Sequence, residues 1–343
     1  MAKRKLTHQQ TARVRNHQRA RVERSEHSQE TDDSNLGPEQ PGLVIAHYGR
    51  SVDVEALEGE LRGTLHRCHL RANLDALASG DRVVWRPGTN ISESGTAQNG
   101  VIVAGLPRHS LLARPDVHLH TPKPVAANVD RIVIVIAPEP QPFANLIDRY
   151  LIAAEAVEIT PLLVLNKSDL LERNEKRAEI DALFAQYRAI GYTTLQASTH
   201  SEHGLDALRA QLHDHTSVFV GQSGVGKSSL INALIPGIDI RVGELSSAES
   251  KGRHTTTTSR LFHLPTGGDL IDSPGIREFG LDNLDRAQIE QGFIEFREWL
   301  GQCRFRDCSH QHEPGCALQT ALNEGRISTA RMQSFMSILS QIE

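Results

Sequence analysis

Glycine, lysine and serine fall in the run Gly221-Gln222-Ser223-Gly224-Val225-Gly226-Lys227-Ser228 at the spacing a polypeptide needs to wrap phosphate groups. In a G-x-x-x-x-G-K-[ST] loop the glycines let successive backbone N–H groups turn inward on the anion. Here Lys227 would reach the β and γ oxygens and Ser228 would ligate Mg2+, with Ser229 following into the same site. The context is the one this chemistry requires: residues 217–220 read as a buried strand, and 229–235 as a helix whose positive N-terminal end faces the anion. A phosphate loop leaves the base open between adenine and guanine, and Asn166-Lys167-Ser168-Asp169 closes that choice directly after the strand Pro161-Leu162-Leu163-Val164-Leu165. The Asp169 carboxylate can accept two hydrogen bonds from the N1–H and N2–H2 of guanine, whereas adenine would leave a buried carboxylate unpaired. Taken alone, the four residues could also be read as an Asn/Asp turn with a solvated lysine. Beside a phosphate loop they read as a guanine reader, so GTP and GDP are the expected ligands and ATP is not.

Further pieces complete the set. Leu270-Ile271-Asp272-Ser273-Pro274-Gly275 is a strand ending in D-x-x-G, where Asp272 would hold Mg2+ through water and the Gly275 N–H would meet the γ-phosphate. Between it and the phosphate loop lies Gly252-Arg253-His254-Thr255-Thr256-Thr257-Thr258, a polar switch in which Thr255 or Thr256 would give its hydroxyl to the metal; a β-branched edge strand is the other reading of that threonine run. Ala197-Ser198-Thr199 stands where a second guanine-contacting loop belongs, which makes Ser198 a candidate ligand. The guanine reader therefore precedes the phosphate loop, the order of a circularly permuted GTPase. Many GTPases place a glutamine after D-x-x-G to orient the attacking water, but this chain has Ile276, which implies slow unassisted turnover. His254 is the nearest polar candidate for that task, available if a partner orders the loop; capping or solvating the loop is the alternative role.

A second chemistry is written in Cys303-Arg304-Phe305-Arg306-Asp307-Cys308-Ser309-His310 and Cys316. Three thiolates and an imidazole close a tetrahedral shell around Zn2+ and leave no open position, so a site made by Cys303, Cys308, His310 and Cys316 would be structural. Disulfides, which would leave His310 idle, and free buried thiols are the alternatives. Arg304 and Arg306, inside the ligand loop, point to phosphate contacts. Cys68, alone in the N-terminal half, reads as a core thiol.

These sites need elements to carry them. With 343 residues the chain exceeds what one core usually supports, and its 38% hydrophobic and 23% charged residues are ordinary for a globular protein. Its longest apolar run, Ile132-Val133-Ile134-Val135-Ile136-Ala137, is far too short for a membrane helix, and no apolar stretch follows the N-terminal basic residues as in a secretory signal; a cytoplasmic protein is expected. The net charge of -5 is uneven, because Lys3, Arg4, Lys5, Arg13, Arg15, Arg19, Arg21 and Arg24 crowd the first segment. That block reads as a disordered arm drawn to phosphate backbone, or as a solubilising tail, and residues 26–40 as a linker.

The chain divides on this reading into an arm and linker (1–40), a β-barrel (41–117), a doubly wound α/β GTPase domain (118–285) and a mostly helical zinc-binding domain (286–343). In the barrel, period-two patterns at 43–46, 52–56, 81–85 and 101–103 are separated by turn signals; an OB-fold leads, with an SH3-type scaffold as the alternative. Its basic positions Arg62, Arg67, Arg71 and Arg82 are compatible with oligonucleotide binding. In the α/β domain apolar strands alternate with helical patterns at 147–157, 175–190 and 205–212, and a last helical pattern spans 327–342.

With these motifs in place, the chain from about residue 42 to its C-terminus resembles the RsgA family of bacterial GTPases dependent on the small ribosomal subunit. The resemblance rests on Asp130-Arg131, Ile147-Asp148-Arg149-Tyr150-Leu151, the phosphate loop through Leu230, Gly252-Arg253-His254-Thr255-Thr256-Thr257, Asp272-Ser273-Pro274-Gly275-Ile276-Arg277 and Phe305-Arg306-Asp307-Cys308. It implies an OB-fold, a permuted GTPase and a zinc domain that together bind the 30S subunit and its 16S rRNA late in assembly, as a monomer, with hydrolysis of GTP stimulated by the subunit. The basic arm lies outside the resemblance and takes no role from it. A metabolic P-loop kinase would not need the guanine reader, and a binding module with a degenerate nucleotide site would lack Lys227, Ser228 or Asp272, all of which are present.

Overall fold

Alternation of apolar and polar residues turns one face of each N-terminal strand inward, and the strands close on themselves. The computed structural model describes residues 35–49, 51–71, 74–89, 99–115, 122–238, 259–273, 281 and 284–341. The expected roles of His254, Thr255, Thr256 and Gly275, and of the basic arm, fall outside the described residues. Strands β1 (Gln40–His47), β2 (Ser51–Ala56), β3 (Leu65–Leu70), β4 (Arg82–Arg86) and β5 (Gly100–Gly105) follow the order β1-β2-β3-β5-β4, and β4 pairs back on β1 from Gln40↔Trp85 to Leu43↔Arg82. β3 and β5 run parallel, while β2 on β3, β4 on β5 and β1 on β4 are antiparallel. The closed barrel fits the expected OB-fold. Val52, Val54, Ala56, Cys68, Val83, Trp85 and Ile102 fill it and are fully buried. Gly42 is fixed by crowding: a Cβ there would lie 2.4 Å from Val54 Cγ1 and 2.6 Å from Trp85 Cδ1.

β3 was not among the expected strands. Its sequence, Leu65-His66-Arg67-Cys68-His69-Leu70, is too basic to read as half-buried, yet Cys68 points inward while Leu65 is 53% exposed.

Residues 107–343, with 44–47 and 76–81, form the second compact unit. A hairpin, β6 (Leu111–Pro115) and β7 (Pro122–Ala127), opens it and spans the expected 117/118 boundary. The strands that follow are β8 (Arg131–Ile136), β9 (Thr160–Leu165), β10 (Thr193–Gln196), β11 (Thr216–Val220), β12 (Arg260–His263) and β13 (Asp269–Asp272), in the order β10-β9-β8-β11-β13-β12. All of these pairings are parallel except β12 on β13. Helices α1 (Ala144–Ala156), α2 (Arg177–Ile190) and α3 (Asp206–Leu212) connect β8 to β9, β9 to β10 and β10 to β11, while α4 (Lys227–Leu234) follows β11. Central strands covered on both sides need apolar residues throughout, and Ile132, Val133, Ile134 and Val135 are each at 0% exposure.

The chain then enters α5 (Arg286–Gly292), a 3-10 turn (Ile294–Phe296), α6 (Ala317–Asn323) and α7 (Thr329–Leu339). Asp285 and Gln288 form a capping box on α5, and Ser328 caps α7, which is why α7 begins after Ile327 rather than at it. Phe293 and Phe296 stack at 4.8 Å and both meet Phe335 edge-on. This core includes Ile152 of α1, and Gly292 lets α5 approach it, since a Cβ there would stand 2.6 Å from Ile152 Cγ2. The helical region is therefore continuous with the α/β layer.

Candidate functional site

The expected nucleotide residues gather at the carboxyl ends of β9, β10, β11 and β13, the edge at which open parallel sheets bind ligands. The phosphate loop leaves β11 with Gly221 at φ +139°, and a Cβ there would lie 2.2 Å from the Val135 carbonyl oxygen. Gly226 at φ +91° caps α4, and a Cβ there would lie 2.5 Å from Asn166 Nδ2. Both positions admit only glycine, one for its neighbour in β8 and one for the Asn166 side chain. Lys227 Nζ donates to Gly221 O at 2.6 Å and Gln222 O at 2.8 Å, keeping the ammonium against the loop. Ser228 is buried at the start of α4, Ser229 is half-buried, and Gln222, Ser223, Gly224 and Val225 complete the turn.

The Asn166-Lys167-Ser168-Asp169 run is tied to this loop directly. Asn166 Nδ2 donates to Val225 O at 2.9 Å, and Lys167 Nζ donates to Gly224 O at 2.7 Å and Glu139 O at 3.1 Å. Lys167 sits in the left-handed region at φ 56°, which turns Ser168 and Asp169 out of the strand. Ser198, buried after β10, donates from Oγ to Asp169 Oδ1 at 2.5 Å, while the Ser168 N–H meets Ala197 O at 3.1 Å. Asp169 itself is exposed, not buried as its sequence reading supposed. A selectivity penalty can therefore arise only when a base covers it. Asp272, half-buried at the end of β13, stands on the strand next to β11.

One wall went unread in the sequence. Residues 138–143, after β8, supply the Glu139 carbonyl to Lys167 and place Pro140 beside Gly224. The signal was the proline-spaced run Pro138-Glu139-Pro140-Gln141-Pro142, which cannot continue a strand. Asp130, by contrast, lies at the far end of the sheet, where its carboxylate accepts the Thr216 N–H at 2.7 Å and joins the starts of β8 and β11.

The structure also brings Cys303, Cys308, His310 and Cys316 together, with their ligand atoms all within 4.8 Å of one another. Cys303 and Cys316 Sγ are 4.0 Å apart, and His310 Nδ1 lies 3.3 Å from Cys316 Sγ and 3.5 Å from Cys303 Sγ. A tetrahedral zinc ion with usual bond lengths sets S–S edges of about 3.8 Å and N–S edges of about 3.6 Å, so the donor set fits such an ion. All four cysteines of the chain are free thiols. Surrounding groups hold the ligand loop: the Glu313 carboxylate accepts N–H bonds from Ser309 at 2.7 Å and from Gln311 and His312 at 3.2 Å. The Ser309 contact leads in drawing the Glu313 pKa down to about 2. Arg304, Phe305 and Arg306 face outward on the same loop, the Arg304 guanidinium 5.5 Å from the centre of the Phe305 ring. Cys68, buried in the barrel as expected of a core residue, has its thiol pushed up to about 12 by burial, which disfavours the thiolate.

Comparison with known proteins matches residues 105–282 to the RsgA GTPase family. Over its full length the chain is 58% identical to the small ribosomal subunit biogenesis GTPase RsgA of Azotobacter vinelandii and 57% identical to that of Pseudomonas aeruginosa, covering 98% of each. Among solved structures it is similar to YjeQ from Thermotoga maritima, with a TM-score of 0.68, 29% identity, and coverage of 89% of this chain and 99% of that one. It is equally similar to YloQ, described as a circularly permuted GTPase, with a TM-score of 0.68, 28% identity, and coverage of 89% and 95%. Among the described residues no helix is long and apolar enough to cross a membrane.

Proposed function

The chain belongs to the RsgA GTPase family and is a GTP hydrolase, and from that premise we propose that it acts on the 30S ribosomal subunit as a monomeric cytoplasmic factor in late subunit maturation. The observation that carries the reading is the direct tie between guanine reader and phosphate loop through Asn166 and Val225, in a chain 57% to 58% identical to relatives named for small-subunit biogenesis. On this proposal Asp169, steadied by Ser198, pairs with guanine while Asn166, Lys167 and Ser168 shape its pocket. Residues 221–226 and Ser229 cradle the phosphates, and Lys227 takes the β/γ oxygens. Ser228, Asp272 and Thr255 or Thr256 hold Mg2+, which supplies charge neutralisation for phosphoryl transfer. The Gly275 N–H meets the γ-phosphate. The Ile276 side chain offers no hydrogen bond to water, so turnover stays slow until subunit binding lets His254 position the nucleophile.

Cys303, Cys308, His310 and Cys316 hold one structural Zn2+ on this reading, and the outward Arg304 and Arg306 contact phosphates of 16S rRNA. Elemental analysis of protein purified without added metal should find one zinc per chain; a metal-free folded protein would remove this part.

Coupling between the sites has a short covalent route. Leu281, a few residues after the D-x-x-G run, is buried with Phe293, Phe296 and Phe335 in the helical core. Movement of the switch therefore pulls on an anchored residue. The small subunit should bind at least several-fold tighter with a non-hydrolysable GTP analogue than with GDP, and should raise turnover in return. Equal affinities and unchanged turnover would leave only a slow GTPase with an RNA-binding appendage.

A further inference from the structure

Glu290 takes no part in the nucleotide site and belongs to no motif. It lies in the last turn of α5, its side chain 17% exposed, with Oε1 2.8 Å from Arg286 Nε and 3.5 Å from His310 Nε2. His310, 5% exposed, turns its other ring nitrogen, Nδ1, toward Cys316 and Cys303. One ring atom therefore faces the thiols and the other faces a carboxylate. Arg286 does more than hold Glu290, because its Nη2 donates to Cys308 O at 3.0 Å. One guanidinium and one carboxylate thus reach two of the four metal-ligating residues, one through its side chain and one through its backbone.

An imidazole that gives Nδ1 to a metal carries its proton on Nε2, and a carboxylate accepting that proton fixes the tautomer and the plane of the ring. We infer that Glu290, braced by Arg286, is a positioning residue that orients His310 on the zinc ion. The inference rests on the zinc reading above. It also gives α5 a second duty, since this helix packs through Gly292 against Ile152 of α1. The carboxylate that aims the metal ligand stands on the element that joins the metal centre to the GTPase layer.

The test uses the full-length chain and competition with a chromophoric chelator for zinc, in wild type, Glu290→Gln, His310→Cys and the double variant, with Glu298→Gln as an exposed control. Glu290→Gln keeps the size of the side chain and should lower zinc affinity roughly 10- to 100-fold, and should shift the visible absorption of the cobalt-substituted protein. In the His310→Cys background no imidazole remains to orient, so the same substitution should change affinity less than twofold. Unchanged zinc affinity in Glu290→Gln, or an equal loss in both backgrounds, overturns the inference while leaving the zinc site standing. Wild-type protein that holds no zinc overturns both.

Discussion

Replacing Asp169 with asparagine should weaken GTP on the order of 100-fold and open the site to xanthosine triphosphate by a comparable factor. A carboxylate offers acceptors alone, which suits the paired N1–H and N2–H2 donors of guanine. Asparagine keeps one acceptor and adds a donor. Xanthine keeps N1–H and carries a carbonyl oxygen in place of the amino group, so its edge matches the amide. Ser198 Oγ, 2.5 Å from Asp169 Oδ1, can donate to the asparagine oxygen as well, so the side chain stays in place while its pairing code changes. The measurement is competition among GTP, ATP and xanthosine triphosphate in both proteins. An asparagine variant that still prefers GTP, or a wild type that takes ATP as readily as GTP, would sink the assignment of Asp169.

What could be read in advance was local. The phosphate loop and the cysteine–histidine knuckle are short runs whose backbone geometry or ligand chemistry depends on neighbours in sequence, so glycine, lysine, cysteine and histidine at fixed spacing announce them. Elements with a continuous apolar pattern were legible too, as in the strand over 161–165 and the helix ending at Ile190. β3 was missed because His66, Arg67 and His69 surround its one fully buried side chain, Cys68, and a strand that buries so little has no period to find. α6 was missed because it is only 7 residues long and starts directly after Cys316, whose residue type signals a metal ligand rather than a helix start. The exposure of Asp169, the Lys167 contacts with Glu139 and Gly224, and the pairing of Glu290 with His310 depend on chain crossings far apart in sequence. No spacing rule encodes them.

The same holds for a buried charge network around Arg331, which carries the largest expected loss of stability. Arg331, 1% exposed on α7, donates to Asp148 of α1, itself at 0%, and to both carboxylate oxygens of Glu295 at 2.6 and 3.0 Å. Tyr187 of α2 adds its hydroxyl to Asp148 at 2.5 Å, and the guanidinium lies 4.3 Å over the Phe293 ring. Burial raises the Asp148 pKa and the guanidinium opposes it. For Arg331, burial is outweighed by Glu295 and Asp148, which keep it protonated. Arg331→Met should cost about 3 to 5 kcal/mol, because it leaves a carboxylate fully buried without its cation. Adding Asp148→Asn should recover much of that, since the uncompensated charge rather than the lost attraction is the larger penalty, and Tyr187 can still donate to the amide oxygen. Urea unfolding of the wild type and both variants, each checked for bound zinc, measures the difference. A single variant within about 1 kcal/mol of wild type, or a double variant no better than the single one, would mean the network is not what binds the helical region to the α/β layer. If the expected pattern holds, α1, the 3-10 turn that carries Glu295 and α7 form one rigid body, and nucleotide state must then reach the C-terminal helical region by moving the chain that enters at Leu281, because a hinge between the two regions would have to break a buried ion network.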